Sequence, residues 1–271
     1  MTNLENIEID LLLEGIYQAY GYDFRNYLRS SLTRRIHYRM QKEELTTVTQ
    51  LLEKVLHEPG FIATLVNDLS ICVTEMFRDP FFFKAIREKV IPNICDLPEI
   101  RIWHAGCSTG EEAYSMAILL HEEGLLHKAK IYATDMNEQV IDYAKSGSIS
   151  LKRMQAFTKN YLQAGGKEEF SSYYKTDQKY AIIHPEIINR IVFAQHNLAT
   201  DSTFNEFHII LCRNVLIYFN ATLQQRVHQL LYASLAPAGF LALGQMEAMN
   251  GSLKVKYEEA DPCQKIFCKR S

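Results

Sequence analysis

The sequence predicts an α/β protein in two parts: an N-terminal helical bundle, then a doubly wound, mostly parallel sheet with a small β element inserted in it. Three observations carry that expectation. Apolar residues recur at helical spacing from about residue 4 to 75. Short apolar runs alternate with amphipathic helices from about residue 100. That alternation breaks between residues 164 and 186, around Gly165–Gly166 and Tyr173–Tyr174. The length of 271 residues suits one large domain or two ordinary ones, with the change of pattern setting boundaries at 1–75 and 76–271.

In the helical part, Leu32, Ile36 and Met40 form one i, i+4, i+8 stripe. Leu51, Leu52, Val55 and Leu56 form another. Between Arg25 and Lys42 stand Arg25, Arg29, Arg34, Arg35, Arg39 and Lys42, with no acidic residue. Arg34, Arg35 and Arg39 fall mostly off the apolar stripe. A basic helix inside a protein of net charge −3 suggests a docking face for an acidic partner.

In the second part, Arg101–Ala105 and Lys130–Thr134 read as strands, each followed by a helix, Glu111–Glu123 and Asn137–Ser146. Arg190–Gln195 and Phe207–Cys212 read as further strands. Thr222–Leu235 is a helix, Phe240–Leu243 a strand after the Pro237–Gly239 turn, and Leu253–Cys268 a hairpin split at Asp261–Pro262. The segment joining the two parts, Ser70–Phe83, is rich in aromatics and is expected to fold against the second.

Composition excludes several classes. Apolar residues at 47% and charged residues at 23% are ordinary for a globular protein with a well-buried core. The net charge does not suggest a general nucleic-acid binder. Six scattered cysteines read as small buried hydrophobes, and Cys263 with Cys268 lacks a second ligand pair, so no metal site is expected. Met1–Gly15 carries four acids and no Lys or Arg, unlike a secretory signal, and no apolar run spans a bilayer, so a cytoplasmic location is expected.

The chemistry gathers at strand ends. The first strand runs into Ala105-Gly106-Cys107-Ser108-Thr109-Gly110-Glu111-Glu112, a turn of small residues at a helix start. Two acids there would repel a phosphate and suit a cation, such as the ammonium and sulfonium of S-adenosylmethionine. Equally, Glu111 and Glu112 could simply complement the helix dipole. The second strand ends in Asp135, about 25 positions beyond that turn, where a carboxylate can accept from the ribose hydroxyls of an adenosine ligand or cap the next helix. Asn197-Leu198 and Cys212-Arg213-Asn214 follow the next strands, at the carboxyl ends where open sheets bind ligands, although Arg213 and Asn214 could equally be capping residues. No nicotinamide-type glycine fingerprint is present.

Three stretches together resemble the CheR chemotaxis receptor methyltransferases. They are Val73-Thr74-Glu75-Met76-Phe77-Arg78-Asp79, the run from Ile102 to Ser115, and Cys212-Arg213-Asn214-Val215-Leu216-Ile217-Tyr218-Phe219. Thr134-Asp135, Asn197-Leu198 and Gly244-Gln245-Met246-Glu247 fall in the expected order among them. The resemblance implies a helical domain, a Rossmann-like doubly wound methyltransferase domain and a small inserted antiparallel β subdomain, here 164–186. It implies S-adenosylmethionine as methyl donor, S-adenosylhomocysteine as product, and a receptor glutamate as acceptor. By position, Thr74, Arg78 and Gly106 would meet the donor, with Glu112 on its ammonium and Asp135 on its ribose. Asn197 and Leu198 would frame the adenine, and Arg213 and Asn214 the methionine end. Arg78 would lie next to the transferring methyl, with Tyr218 close by; these two are the expected catalytic residues. Arg34, Arg35 and Arg39 would meet the cytoplasmic domain of a methyl-accepting receptor-like protein, and the protein is expected to act as a monomer without entering the membrane.

Some positions depart from the family pattern. Cys72 stands where an asparagine is common, Ala113 replaces a proline, and Gln245-Met246 replaces a His-Ser pair. Exocyclic-amine enzymes carry Asn/Asp-Pro-Pro-aromatic where this chain has Arg213-Asn214-Val215-Leu216, which disfavours a nucleic-acid acceptor. A donor-binding signalling module without turnover is the other reading.

Overall fold

The computed structural model describes residues 3–70, 73–249 and 251–270; Cys72 lies outside them. The chain divides into two compact units. Of the described residues, the first holds 3–70 together with 197–201 and 218–227, and the second holds the others.

The helical unit is built on α1 (Asn3–Tyr20), α2 (Arg29–Lys42), α3 (Val48–His57) and α4 (Phe61–Leu69). Ile9, Leu12, Leu13 and Ile16 repeat at the spacing of one helix face and are fully or nearly fully buried. Leu32 and Ile36 of the predicted α2 stripe are buried too. Thr47 begins α3 with a capping box, its hydroxyl accepting from Gln50 N–H while the Gln50 side chain returns to the Thr47 backbone. Gly60, at φ 79°, permits the sharp entry into α4.

The second unit opens with α5 (Pro80–Ala85), a wider turn over Ile86–Val90, and α6 (Ile91–Ile94). Pro92 lacks the N–H that a regular helix would use there. Met76, Phe77, Phe82 and Phe83 are fully buried in this unit's core, as the aromatic joining segment predicts. Then follow β1 (Ile100–Ala105), α7 (Glu111–Glu122), β2 (Ala129–Asp135), α8 (Glu138–Lys145), β3 (Ser148–Ser150), α9 (Leu151–Gln163), β4 (Tyr174–Thr176), β5 (Tyr180–Ile183), α10 (Pro185–Ile188), β6 (Ile191–Gln195) and β7 (Phe207–Cys212). The chain ends with α11 (Ala221–Ser234), β8 (Leu235–Leu243), α12 (Gly251–Lys254), β9 (Tyr257–Asp261) and β10 (Ile266–Lys269).

The seven-stranded sheet has the order β6-β2-β1-β7-β8-β10-β9. Pairings β6-β2-β1-β7-β8 are parallel, and the final hairpin is antiparallel. Because β2 and β6 lie on one side of β1 while β7 and β8 lie on the other, the chain reverses its winding between β1 and β7. In such sheets ligands bind at the strands' carboxyl ends at this point.

Two elements differ from the sequence expectation. The stretch Pro237–Gly239 is not a turn before a strand but a bulge inside β8. Phe207 pairs with Leu235 and Ile209 with Phe240, and Ala238 takes φ 55°. The small antiparallel sheet, order β3-β5-β4, reaches beyond 164–186: it recruits Ser148–Ser150, with α9 between its first two strands in sequence. Three residues are too few to show an alternating pattern.

Candidate functional site

The turn after β1 is fixed by backbone bonds and by Asp135. Gly106 (φ 82°) and Cys107 donate to the Thr134 carbonyl at 2.8 and 2.9 Å. A Cβ at Gly106 would stand 2.6 Å from Val215 Cγ2, so the residue must be glycine. Asp135 accepts from Ser108 N–H at 3.0 Å and from Asn137 N–H at 3.1 Å. The cap of α8 is Asn137, whose Oδ1 accepts from Gln139 N–H at 3.0 Å, so Asp135 is not spent as a helix cap. Loss of surrounding water raises the Asp135 carboxyl above its ordinary range, partly offset by the backbone N–H groups of Asn137, Ser108 and Met136. The Ser108 hydroxyl is buried without a hydrogen-bond partner among the described residues.

The two acids that look equivalent in the sequence have separate tasks. Glu111 is 1% exposed; it accepts from Thr109 Oγ1 at 2.6 Å and pairs with Arg153 Nη1 at 2.7 Å. Desolvation raises its carboxyl despite Arg153. Glu112 instead faces Arg213 Nη1 at 2.7 Å and His104 Nδ1 at 3.0 Å. Burial alone would raise its carboxyl, but Arg213 and His104 outweigh that and hold it below the usual range. Glu112 therefore stays ionised and suits a ligand ammonium. Arg213, its side chain 1% exposed, also reaches Asp79 Oδ2 at 2.6 Å and lies 3.9 Å over the Phe82 ring. The start of α7, the helix that follows β1, is thus joined to the end of β7 by an ion pair.

Arg78 occupies a strained stretch. Phe77 (φ 51°) and Asp79 (φ 56°) on either side are left-handed, a conformation that costs a side-chain-bearing residue about 1–3 kcal/mol. Phe77 N–H donates to Ser115 Oγ at 2.8 Å, and Ser115 Oγ donates to the Glu111 carbonyl at 2.7 Å. Asp79 is taken by Arg213, and Glu75 accepts from Asn160 at 3.3 Å. Among the described residues Arg78 has no carboxylate partner; its Nη1 donates to the Val73 carbonyl at 3.1 Å. Thr74 is half-buried.

Sequence reasoning missed the main device behind β7. Asn214 (φ 61°) begins a loop whose N–H groups converge on the Glu247 carboxylate: Asn214 at 3.0 Å, Val215 at 2.8 Å and Leu216 at 2.7 Å. Gly244 N–H adds a fourth bond at 2.5 Å. A Cβ at Gly244 would crowd the Asn214 nitrogen and Glu247 Oε2, both 2.8 Å away. A lone Glu beyond a strand gives no sequence signal of such a role. The departing pair Gln245-Met246 lies outside this clasp, with Met246 84% exposed.

The structure thus gathers Gly106, Glu112, Asp135, Arg213 and Asn214 around the ends of β1, β2 and β7, with Thr74 and Arg78 on the chain leading to Asp79. The other expected residues belong to the helical unit. Asn197 N–H bonds Asp201 at 2.8 Å and Leu198 is buried. The Tyr218 carbonyl accepts from Leu28 N–H at 2.8 Å. Arg39 is largely buried between Asp68 (2.5 Å) and Glu43 (2.9 Å), and Arg35 donates to the Asp68 and Ser70 carbonyls at 2.6 and 3.0 Å. Arg34 is exposed. Arg25 and Arg29 pair with Glu14 and Asp10 of α1 at 3.0 and 2.7 Å, so much of the basic run is neutralised internally.

No helix is long and apolar enough to cross a membrane, and no His/Cys/Asp/Glu cluster fit for a metal occurs among the described residues. Residues 7–70 match the all-alpha domain of the CheR methyltransferases, and residues 72–264 match their S-adenosylmethionine-binding domain. The chain is 47% identical over 272 residues to Cher3 of Pseudomonas putida, a candidate methyltransferase by its own name, covering 99% of this chain and 100% of that one. It is 30% identical to the chemotaxis protein methyltransferase Cher2 of the same species, over 84% of each chain. It is 28% identical to a chemotaxis protein methyltransferase of Listeria innocua, again over 84% of each. The chain belongs to the CheR methyltransferase family and is an S-adenosylmethionine-dependent methyltransferase.

Proposed function

We propose that the protein transfers the methyl group to glutamate carboxylates on the cytoplasmic domain of a methyl-accepting receptor-like protein, forming glutamate methyl esters in the cytoplasm and working as a monomer. The observation that carries this reading is Arg78: a guanidinium without a carboxylate partner among the described residues, held on strained backbone one residue from the Asp79–Arg213–Glu112 chain of ion pairs. Such a group is available for an acidic acceptor.

The residues present fit the donor. Glu112 offers an ionised carboxylate to its ammonium, with Arg213 and Asn214 at the methionine end. Asp135, not used as a cap, and the unpartnered Ser108 hydroxyl suit its ribose. Thr74 and Arg78 would meet it from the joining segment, and Asn197 with Leu198 would frame the adenine. The bound donor supplies a methyl group activated by its sulfonium.

The acceptor dictates what the protein must add. A glutamate side chain, with a reference pKa of about 4.3, is already ionised at neutral pH, so no general base is needed. Alignment is then the main contribution, and it can supply roughly 7–11 kcal/mol in favourable cases. Arg78 orients the acceptor carboxylate without fully neutralising it, and Tyr218 fixes the surrounding geometry. Arg34, Arg35 and Arg39 form the proposed receptor-facing side of α2, with exposed Arg34 best placed to meet an acid directly. Peptide mapping of methylated membrane protein tests the reading: ester increments on glutamate support it, and increments on lysine contradict it.

A further inference from the structure

Helix α9, which links β3 to β4 of the small sheet, grips the segment that carries Arg78. Arg153 donates through Nη2 to the Thr74 carbonyl while its Nη1 holds Glu111 at 2.7 Å. Two turns further along the same face, Asn160 Nδ2 donates to the Met76 carbonyl at 3.1 Å. The neighbouring Tyr161 ring meets Phe77 edge to face at 5.2 Å. On the opposite side α7 holds Phe77 N–H through Ser115. Left-handed conformations at two side-chain-bearing residues persist only where the surroundings over-determine them, and here α7 and α9 do so together.

We propose that Arg153 and Asn160 are positioning residues for methyl transfer. Through the Thr74 and Met76 carbonyls they hold the strained segment that aims Arg78, which makes α9 of the small sheet part of the catalytic support. This rests on the reading of Arg78 as the residue beside the transferring methyl. The competing account is that Arg153 only neutralises buried Glu111. Lysine separates the two, because a single ammonium can keep the pair with Glu111 but lacks the planar fork that also reaches Thr74.

The test uses the full chain as wild type, Arg153→Lys, Asn160→Ala, Arg78→Ala and the double variant Arg153→Lys/Arg78→Ala. Methyl transfer is measured into membranes of the source organism deleted for this gene, beside thermal midpoint, S-adenosylhomocysteine affinity and amide exchange over residues 73–79. Both α9 variants should keep their thermal midpoint within about 2 °C, a margin smaller than the loss of a buried charge pair produces. They should exchange the segment's amides about tenfold faster, reporting local opening. Their kcat should fall about tenfold, with a smaller change in S-adenosylhomocysteine affinity. Arg153→Lys should add nothing in the Arg78→Ala background, as expected for residues acting through one another.

Wild-type turnover in both α9 variants, with Arg78→Ala slow, would overturn the positioning role and leave the Arg78 reading standing. An undiminished effect of Arg153→Lys in the double variant would also overturn it. Wild-type turnover in Arg78→Ala would remove the premise itself, whatever the α9 variants do.

Discussion

Arg213 places Nη2 2.6 Å from Asp79 Oδ2, joining the end of β7 to a residue 134 positions earlier. The same guanidinium holds Glu112 with its other nitrogen, so one buried cation ties the carboxylate before α5 to the one at the start of α7. Arg213→Ala should leave Glu112 without its cation and cost about 3–5 kcal/mol, the range for breaking a buried pair. Urea unfolding measures that loss. Asp79→Asn, at a more exposed carboxylate, should fold normally and weaken S-adenosylhomocysteine binding severalfold by calorimetry.

Glu247 receives four backbone N–H groups. In Glu247→Gln the amide NH2 faces donors where a carboxylate oxygen stood, leaving buried N–H groups unmatched. A destabilisation of about 1–3 kcal/mol is expected. Weaker donor binding should accompany it, because Asn214 loses the bond that holds its left-handed backbone. Unfolding midpoints and calorimetry on one preparation check both.

Donor affinity should respond to acid through Asp135 before Glu112. Desolvation holds the Asp135 carboxyl above its ordinary 3.8, whereas Arg213 and His104 overcome burial to hold Glu112 below its ordinary 4.5. A carboxylate that accepts from ribose hydroxyls favours binding in its charged form. If Asp135 accepts from the ribose hydroxyls, affinity should be complete above its raised pKa and should decline as pH falls through it. Folding has the opposite sign for this group: its raised pKa means that protonation relieves a cost of the folded state. Calorimetric titration with S-adenosylhomocysteine from neutral pH downward should show the early decline in wild type and not in Asp135→Asn.

The arginines of α2 should separate by burial. Arg39→Ala removes the cation between Asp68 and Glu43 and should lower stability by about 3 kcal/mol, as loss of a buried partner does. Arg34→Glu, at an exposed position, should leave the unfolding midpoint unchanged and weaken methylation of an acidic receptor in a salt-dependent way.

The sequence made the α/β order, the glycine turn and Asp135 legible, because each is written in local pattern or short-range spacing. It could not divide the labour of Glu111 and Glu112, since their partners Arg153, His104 and Arg213 come from three other elements. The basic run looked unpaired because its acids lie outside the run itself: Asp10 and Glu14 on α1, Asp68 on α4, and Asp23 and Glu43 just beyond its two ends. The resemblance marked Glu247 but not its role, because its four donors are main-chain groups, which every sequence has and none displays.

The proposed methyl acceptor is a carboxylate. Methyl-labelled S-adenosylmethionine, incubated with the protein and with membranes of the source organism deleted for this gene, tests it after alkali treatment. Label should enter protein and leave as methanol in base. Label that enters protein or nucleic acid and survives alkali would contradict the claim and point to a nitrogen acceptor.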